Sequence, residues 1–448
     1  MFAELFVSLQ LEIFINSKIS LIMRKLFLSF LLAILVPMMA GAQEREMYVV
    51  FSYNKTCTFY YDSYKDSREG SVYSLTPRTD GKPQWSQTYL PGQMTRLVIS
   101  PSFADARPTT TCQWFGGFAK IEQIEGLEYL NTSEVTNMGG MFSGCRALPC
   151  LNVTGLDTHK VTNMSGMFMN CDALTSLDLS HFDTRNVTDM GGMFLNSYAL
   201  KSLDLSNFET GNVTSMAQMF YGCTALESLD MSSFDTQKVT DMNYMFYSCQ
   251  ALQVIDVSRF DTGNVTNMEH MFQWCKAVTT LDVSHFDTRN VKNMSCMFNT
   301  CSALKFLDLT SFDTGSVNNL YGMFDDCVSL TTIYCNDDWY VEGRNSNDMF
   351  RFCTSLVGGA GTPYDASWTN AKLAHPDTKA NPGYFTLKDG SEVTSGGDLT
   401  EDGKLDADDV VTLVNLILNK DPKADMNHDG NLDIADLIWL LNLILDKE

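Results

Sequence analysis

Near one end of the chain, carboxylates recur at a spacing that suits calcium. Asp398, Thr400, Asp402, Lys404, Asp406 and Asp409 fall at positions 1, 3, 5, 7, 9 and 12 of a loop with Gly403 at position 6. Asp425, Asn427, Asp429, Asn431, Asp433 and Asp436 repeat the arrangement 27 residues later, around Gly430. Calcium needs six to eight oxygens, and such a loop supplies them while its glycine makes the sharp turn. Position 12 is Asp where this loop type usually has Glu, and Thr400 is a poorer ligand than Asn427, so the first site is expected to bind less tightly. Residues 398–448 carry 13 acidic and 4 basic side chains, which should repel one another without a cation. Two calcium ions are expected. Each loop runs into an apolar segment, 410–418 and 437–445, that reads as one of a pair of packed helices.

Two further sets are ladders with one rung per repeat, and a third is a cluster of aromatics. Asp178, Asp204, Asp230, Asp256, Asp282 and Asp308 alternate with apolar residues. Like charges stacked this closely repel, so each must bond Ser, Thr or backbone groups of adjacent coils, or face a cation or basic ligand. Asp157, Asp183, Glu209, Asp235, Asp261, Asp287 and Asp313 each precede Thr and read as turn chemistry. Tyr221, Tyr244, Tyr247, His270 and Trp274 come from three adjacent coils, beside an invariant Met-Phe pair. They are candidate partner-binding residues, able to stack on sugars or anchor a protein; ordinary side packing is the alternative. No nucleophile elbow, His-Glu-x-x-His, phosphate-binding loop or isolated carboxylate pair occurs, so a non-catalytic protein is expected.

The element that positions these ladders is a 26-residue repeat. Met141, Met167, Met193, Met219, Met245, Met271, Met297, Met323 and Met349 mark it without insertion or deletion. In one copy, Val161, Met164, Met167, Phe168 and Cys171 are spaced as one face of a short helix. Leu177-Asp178-Leu179 reads as a short strand, and Phe182-Asp183-Thr184 as a turn. A single unit cannot bury its apolar face; stacked copies can. The expected fold is an α/β repeat solenoid of the leucine-rich-repeat type, capped at both ends and followed by a small all-α calcium-binding domain. Eight cysteines share one slot, with Ser197 in the ninth. That substitution points to a ladder of buried thiols rather than obligatory bridges. Cys57 with Cys112, and Cys296 or Cys335 with a neighbour, stay open as bridges.

Around the repeats, residues 43–130 read as an N-terminal cap, with strands at 47–53, 57–61 and 94–100 and turns at Asp80-Gly81 and Pro91-Gly92. The repeats occupy 131–355, a C-terminal cap 356–387, and a Gly/Ser-rich linker 388–397. Met23-Arg24-Lys25, an apolar stretch to Val36 and Ala40-Gly41-Ala42 form a signal-peptide pattern over 23–42, preceded by an extension, 1–22, without such logic. Export to the cell surface, extracellular space or periplasm is expected, without a transmembrane anchor. The net charge of −23 argues against nucleic acid as a partner.

The repeat unit V-T-N-M-x-x-M-F-x-x-C-x-x-L-x-x-L-D-L-S-x-F-D-T resembles the BspA-type leucine-rich repeats of bacterial surface proteins over about residues 47–387. The flanks 101–108, Gly358-Gly359-Ala360-Gly361-Thr362 and Asn381-Pro382-Gly383-Tyr384-Phe385 are similar too. That resemblance implies an exported surface protein that binds host or bacterial partners without catalysis. Residues 398–448 resemble type I dockerin modules, which implies a calcium-folded plug for a cohesin-like domain, often within polysaccharide-degrading complexes. The partner-reading positions it implies are Ala407, Asp408, Ile434 and Ala435, where well-known cellulosomal dockerins carry a Ser-Thr pair. Two roles follow as expectations: a surface protein tethered through its dockerin, or a glycan-holding auxiliary of a degrading complex.

Overall fold

The computed structural model describes residues 44–388 and 407–418, together with Lys25, Asp436, Leu437 and Leu440. The signal-peptide pattern and most of both calcium loops lie outside the described residues.

From Glu46 the described residues form a five-stranded sheet. β1 (Glu46–Phe51) pairs antiparallel with β2 (Thr56–Asp62) and with β3 (Ser71–Ser74). β2 then pairs in parallel with β4 (Arg96–Ile99), which pairs with β5 (Ile124–Glu125). The alternating apolar residues of the first two strands and of β4 foretold those strands; the polar β3 and the two-residue β5 gave no such signal. Inside the sheet, Phe59 packs on Trp114 and Phe115, with ring centroids 5.7 and 5.3 Å apart.

Phe115 also begins a column of rings that runs through the repeats. It meets Phe142 at 5.4 Å, and from Phe142 to Phe350 each repeat Phe stacks on the next at 5.5–5.8 Å. Tyr384 closes the column edge-on against Phe350 at 5.1 Å. The repeat Met, Val and Phe side chains beside the column are buried throughout. Parallel bridges link Thr110, Asn137, Asn163 and their equivalents as far as Asn345. The stacking therefore starts at Thr110, one unit before the Met-Phe pattern, with Trp114-Phe115 standing where later units have Met-Phe.

The short helix expected in each unit does not form. Its apolar spacing is real, but the backbone is a run of turns. Met141, Ser143 and Cys145 donate N–H groups three residues back, while Met138, Gly140, Phe142 and Gly144 donate to carbonyls of the next unit. An α-helix keeps nearly all its N–H groups for itself; here alternate ones cross between units. Two left-handed residues per unit make this alternation, one just before the Met and one just before the Cys, from Gly140 and Gly144 to Asp348 and Phe352. The expected Leu-Asp-Leu strands form ladders in only two places, Ser202–Asp204 (β6) with Ser228–Asp230 (β7), and Phe306–Asp308 (β8) with Thr332–Tyr334 (β9). The described chain is thus one of small sheets, turns and short 3-10 helices, and the α-helix described along its length is α1, at Ala407–Leu418.

Side chains finish what the backbone leaves open. Buried Thr158 donates to the carbonyl of Asp183 in the next unit at 3.0 Å and accepts from its N–H at 2.7 Å. The equivalent threonines from Thr132 to Thr288 do the same, apart from Thr236, for which only the donated bond is seen. At Thr314 the series ends, and the Arg344 guanidinium takes the place of a further unit, donating to the Thr314 carbonyl at 2.9 Å. In the C-terminal cap, buried Asp377 accepts from Ala360, Thr362 and Gly383. Burial opposes its charge, but these bonds outweigh it and hold the carboxyl below its ordinary range. A Cβ on Gly358 would stand 2.2 Å from the Gly383 carbonyl oxygen, so the cap closes only with glycine there.

Candidate recognition face on the repeats

The residue before each repeat Met sits at positive φ, where any side chain but glycine is strained by about 1 kcal/mol. Gly140, Gly166, Gly192 and Gly322 meet that demand. Four adjacent units do not: they carry Gln218, Tyr244, His270 and Cys296, at φ 54–60°. Three of the five sequence-singled aromatics lie in left-handed positions, Tyr244 and His270 in this column and Trp274 in the pre-Cys column at φ 67°. The pre-Cys column carries side chains at positive φ in most units, but in the pre-Met column the four form an unbroken run between Gly192 and Gly322, with Asp348 the one other non-glycine before a repeat Met, and that run points to function.

The structure brings four of the five together. Tyr221 and Tyr247 follow the repeat Phe of adjacent units and stack at 4.4 Å, planes 10° apart. Tyr244 and His270 stack at 4.4 Å, 13° apart. Tyr244 lies 5.9 Å from Tyr221 and 5.6 Å from Tyr247, joining the two pairs. All four are half-buried. Trp274 stands beside them, 38% exposed, with the Lys276 ammonium 4.5 Å over its ring. Burial first, and then the Glu269 carboxylate, raise the Tyr244 hydroxyl above its usual value. Burial also raises Tyr247, with Tyr221 beside it.

The stack continues as a polar chain that the sequence reading missed. After Tyr247, the post-Phe column holds Gln273, Asn299, Asp325 and Arg351. Gln273 donates to Asn299 Oδ1 at 2.8 Å, Asn299 to Asp325 Oδ2 at 3.2 Å, and Arg351 to Asp325 through Nε at 3.0 Å. Before the tyrosines the same column holds Ser143, Met169 and Leu195. Aligning the copies column by column, rather than by their common residues, exposes this gradient.

The acidic ladders resolve mainly as local chemistry, although Asp308 also accepts from the Lys388 ammonium. Asp178, Asp204, Asp230, Asp256, Asp282 and Asp308 each accept the backbone N–H two residues on, at 2.9–3.1 Å. Hydrogen bonds from Ser180 and Ser206 hold Asp178 and Asp204 below the usual carboxylate range. In the second ladder Asp157, Asp183, Asp235, Asp261, Asp287 and Asp313 make the same turn. The repeat cysteines are free and buried. Each Sγ bonds the carbonyl of the ring residue one unit back, at 3.0–3.3 Å, and Ser197 Oγ does so at 3.0 Å. Cys57, Cys112, Cys296 and Cys335 are free as well, so the open bridge pairings are not made.

Of the proposed calcium ligands, Asp398, Thr400, Asp402, Lys404, Asp406, Asp425, Asn427, Asp429, Asn431 and Asp433 lie outside the described residues, as do Ile434 and Ala435. Ala407, Asp408 and Asp409 open α1, and Asp436 is buried. Among the described residues no cluster of His, Cys, Asp and Glu could hold a metal ion, and no helix is long and apolar enough to cross a membrane.

Stacked 26-residue units, joined side by side through turns and carrying a variable column, define a repeat protein. Residues 110–228, 173–280, 197–305 and 249–359 match the family described as "Mycoplasma protein of unknown function, DUF285". The matches span more than half of the chain, and the chain belongs to that family. No curated protein matches it. Among solved structures, "Crystal structure of TLR13-ssRNA13 complex" is similar at 18% identity and a TM-score of 0.22, over 60% of this chain and 40% of that one. A TM-score so low carries no argument about the fold.

Proposed function

We propose that this chain is an exported, non-catalytic binding protein of the leucine-rich-repeat solenoid type, and that the face built on Tyr221, Tyr244, Tyr247 and His270 recognises a protein partner. One observation carries the reading: four adjacent units keep side chains in left-handed positions that flanking units give to glycine, and the aromatic stack sits there. The rings stack in pairs, so each gives one face to its neighbour, which suits a protein surface better than a sugar ring needing a free aromatic face. In a pull-down from the producing cell's envelope, the partner held by the wild type should be lost on combining Tyr221→Ala with Tyr247→Ala and kept on combining Asp204→Asn with Asp230→Asn. Equal retention by both variants would remove this face from the function.

Exposed Trp274 supports a second reading, a glycan-holding auxiliary of a polysaccharide-degrading complex. Glycan binding abolished by Trp274→Ala, with no protein partner, would favour it. In either role the dockerin-like module of 398–448 folds around two calcium ions and tethers the chain to a cohesin-like domain on a scaffold or cell surface. Calorimetric titration of the full chain should find two calcium ions, and one after Asp429→Ala; uptake of none would remove the tether.

A further inference from the structure

His270 stands where the aromatic stack meets the polar chain, and both of its ring nitrogens have neighbours there. Arg351 can only donate, and the Asp325 carboxylate can only accept. Asn299 must therefore turn its amide nitrogen to Asp325 and its oxygen to Gln273, as observed. That in turn commits the Gln273 nitrogen to Asn299 and leaves Gln273 Oε1 facing His270 Nδ1, with which it is hydrogen-bonded. On the other side, His270 Nε2 lies 3.2 Å from Glu269 Oε1. Glu269 is itself held by Asn293, which donates to Oε2 at 3.0 Å, and Asn293 is oriented by accepting from Ser295 N–H. Both ring nitrogens of His270 thus face oxygen. A neutral imidazole carries one N–H and satisfies one of these oxygens; an imidazolium satisfies both. The remaining neighbours agree with a cation: Tyr244 offers a ring face at 4.4 Å, Tyr247 lies 6.4 Å away, and Cys296 of the next unit holds its proton, its thiol pushed up to about 11 by burial and then by Asp325 and Glu269.

We propose that His270 is the positioning residue of the recognition face: as an imidazolium it closes a relay from Glu269 to Arg351 and holds the tyrosine stack, and as a neutral imidazole it opens the relay at one nitrogen. This deepens the reading of that face as a binding surface. The face is then tight at low pH, where both ring nitrogens carry protons, and loosens at high pH, where one does, and partner affinity follows.

The test needs no partner, so its outcome is separate from that of the pull-down. Hydrogen exchange is measured on the full chain across this range, corrected for intrinsic amide rates, with imidazole nitrogen resonances read on the same sample. The Tyr244, His270 and Trp274 amides bond the Glu269, Ser295 and Asn299 carbonyls at 2.8–2.9 Å. Their protection should fall about threefold or more as pH rises, while that of Gly166 and Gly192 stays level. His270→Gln should abolish the dependence; should that variant not fold, Glu269→Gln should weaken it and lower the imidazolium fraction at a given pH. Protection level with pH in the wild type, or a dependence surviving in the folded variants, would overturn the proposal.

Discussion

The glycine-bearing units near Gly166 and Gly192 and the strained units near Tyr244 and His270 share one skeleton. Gly166 donates to Gly191 at 2.8 Å, and Tyr244 to Glu269 at 2.8 Å. Phe142 stacks on Phe168 at 5.7 Å, and Phe246 on Phe272 at 5.6 Å. The difference lies in what occupies the left-handed position, glycine at no steric cost or a side chain at about 1 kcal/mol. Backbone architecture and surface chemistry are thus carried by separate columns of one repeat, and the second can vary without disturbing the first.

The sharpest attempt to break this comparison is a paired truncation. Phe168→Ala and Phe246→Ala should each cost about 3–5 kcal/mol in denaturant unfolding. A difference well beyond the error of the two measurements would mean that the skeletons are not equivalent. Thr210→Val removes the hydroxyl serving both the N–H and the carbonyl of Asp235. It should cost about 1–2 kcal/mol, because two part-buried backbone groups lose their partner. Exchanging column residues comes next: Gly166→Tyr should destabilise by about 1–2 kcal/mol, and Gln218→Gly should stabilise by up to about 1 kcal/mol by relieving left-handed strain. Thermal unfolding of both variants reads the sign directly, and a destabilised Gln218→Gly would show that strain is not what separates the two kinds of unit.

The smallest expected effect is Cys249→Ser, under about 1 kcal/mol, since Ser197 already makes the same bond to a Phe carbonyl. The thiols still leave a signature in pH. Burial raises Cys171, Cys223 and Cys275 from 9.0 to about 12. The unfolded chain ionises first, so their contribution is whole below pH 9 and is lost as pH rises toward about 12. Alkaline unfolding followed by circular dichroism should steepen above pH 9, less so in the Cys249→Ser variant, which lacks one of the thiols that burial raises.

Much of the fold was legible. The Met-Phe period located every stacked unit but the one at Thr110, where Trp114-Phe115 replaces the pair and the step lengthens to 27 residues. The thiol ladder was readable because Ser197 reports what the slot requires. Spacing of apolar residues misled at 161–171: it reports which side chains are buried, not where N–H groups bond. Gly140, Gly166 and Gly192 hinted at left-handed backbone, but Gln218, Tyr244, His270 and Cys296 mask that signal in the units that matter most. The five aromatic candidates came from adjacency of coils alone, yet the Gln273–Arg351 chain, built of ordinary polar residues, gave no sign.

By itself the sequence determined the repeat length, the buried columns and the pairing of Asp with the turn that follows it. These are local or periodic properties, set by side-chain polarity and by bonds reaching two residues along the chain. Only the tertiary structure decided that alternate N–H groups leave the unit and that Thr clamps join neighbours. It also decided that both nitrogens of His270 face oxygen. Each of these depends on which groups stacking places opposite one another across 25 or more residues of chain, or at the end of a chain of bonds spanning several units, a relation no single unit contains.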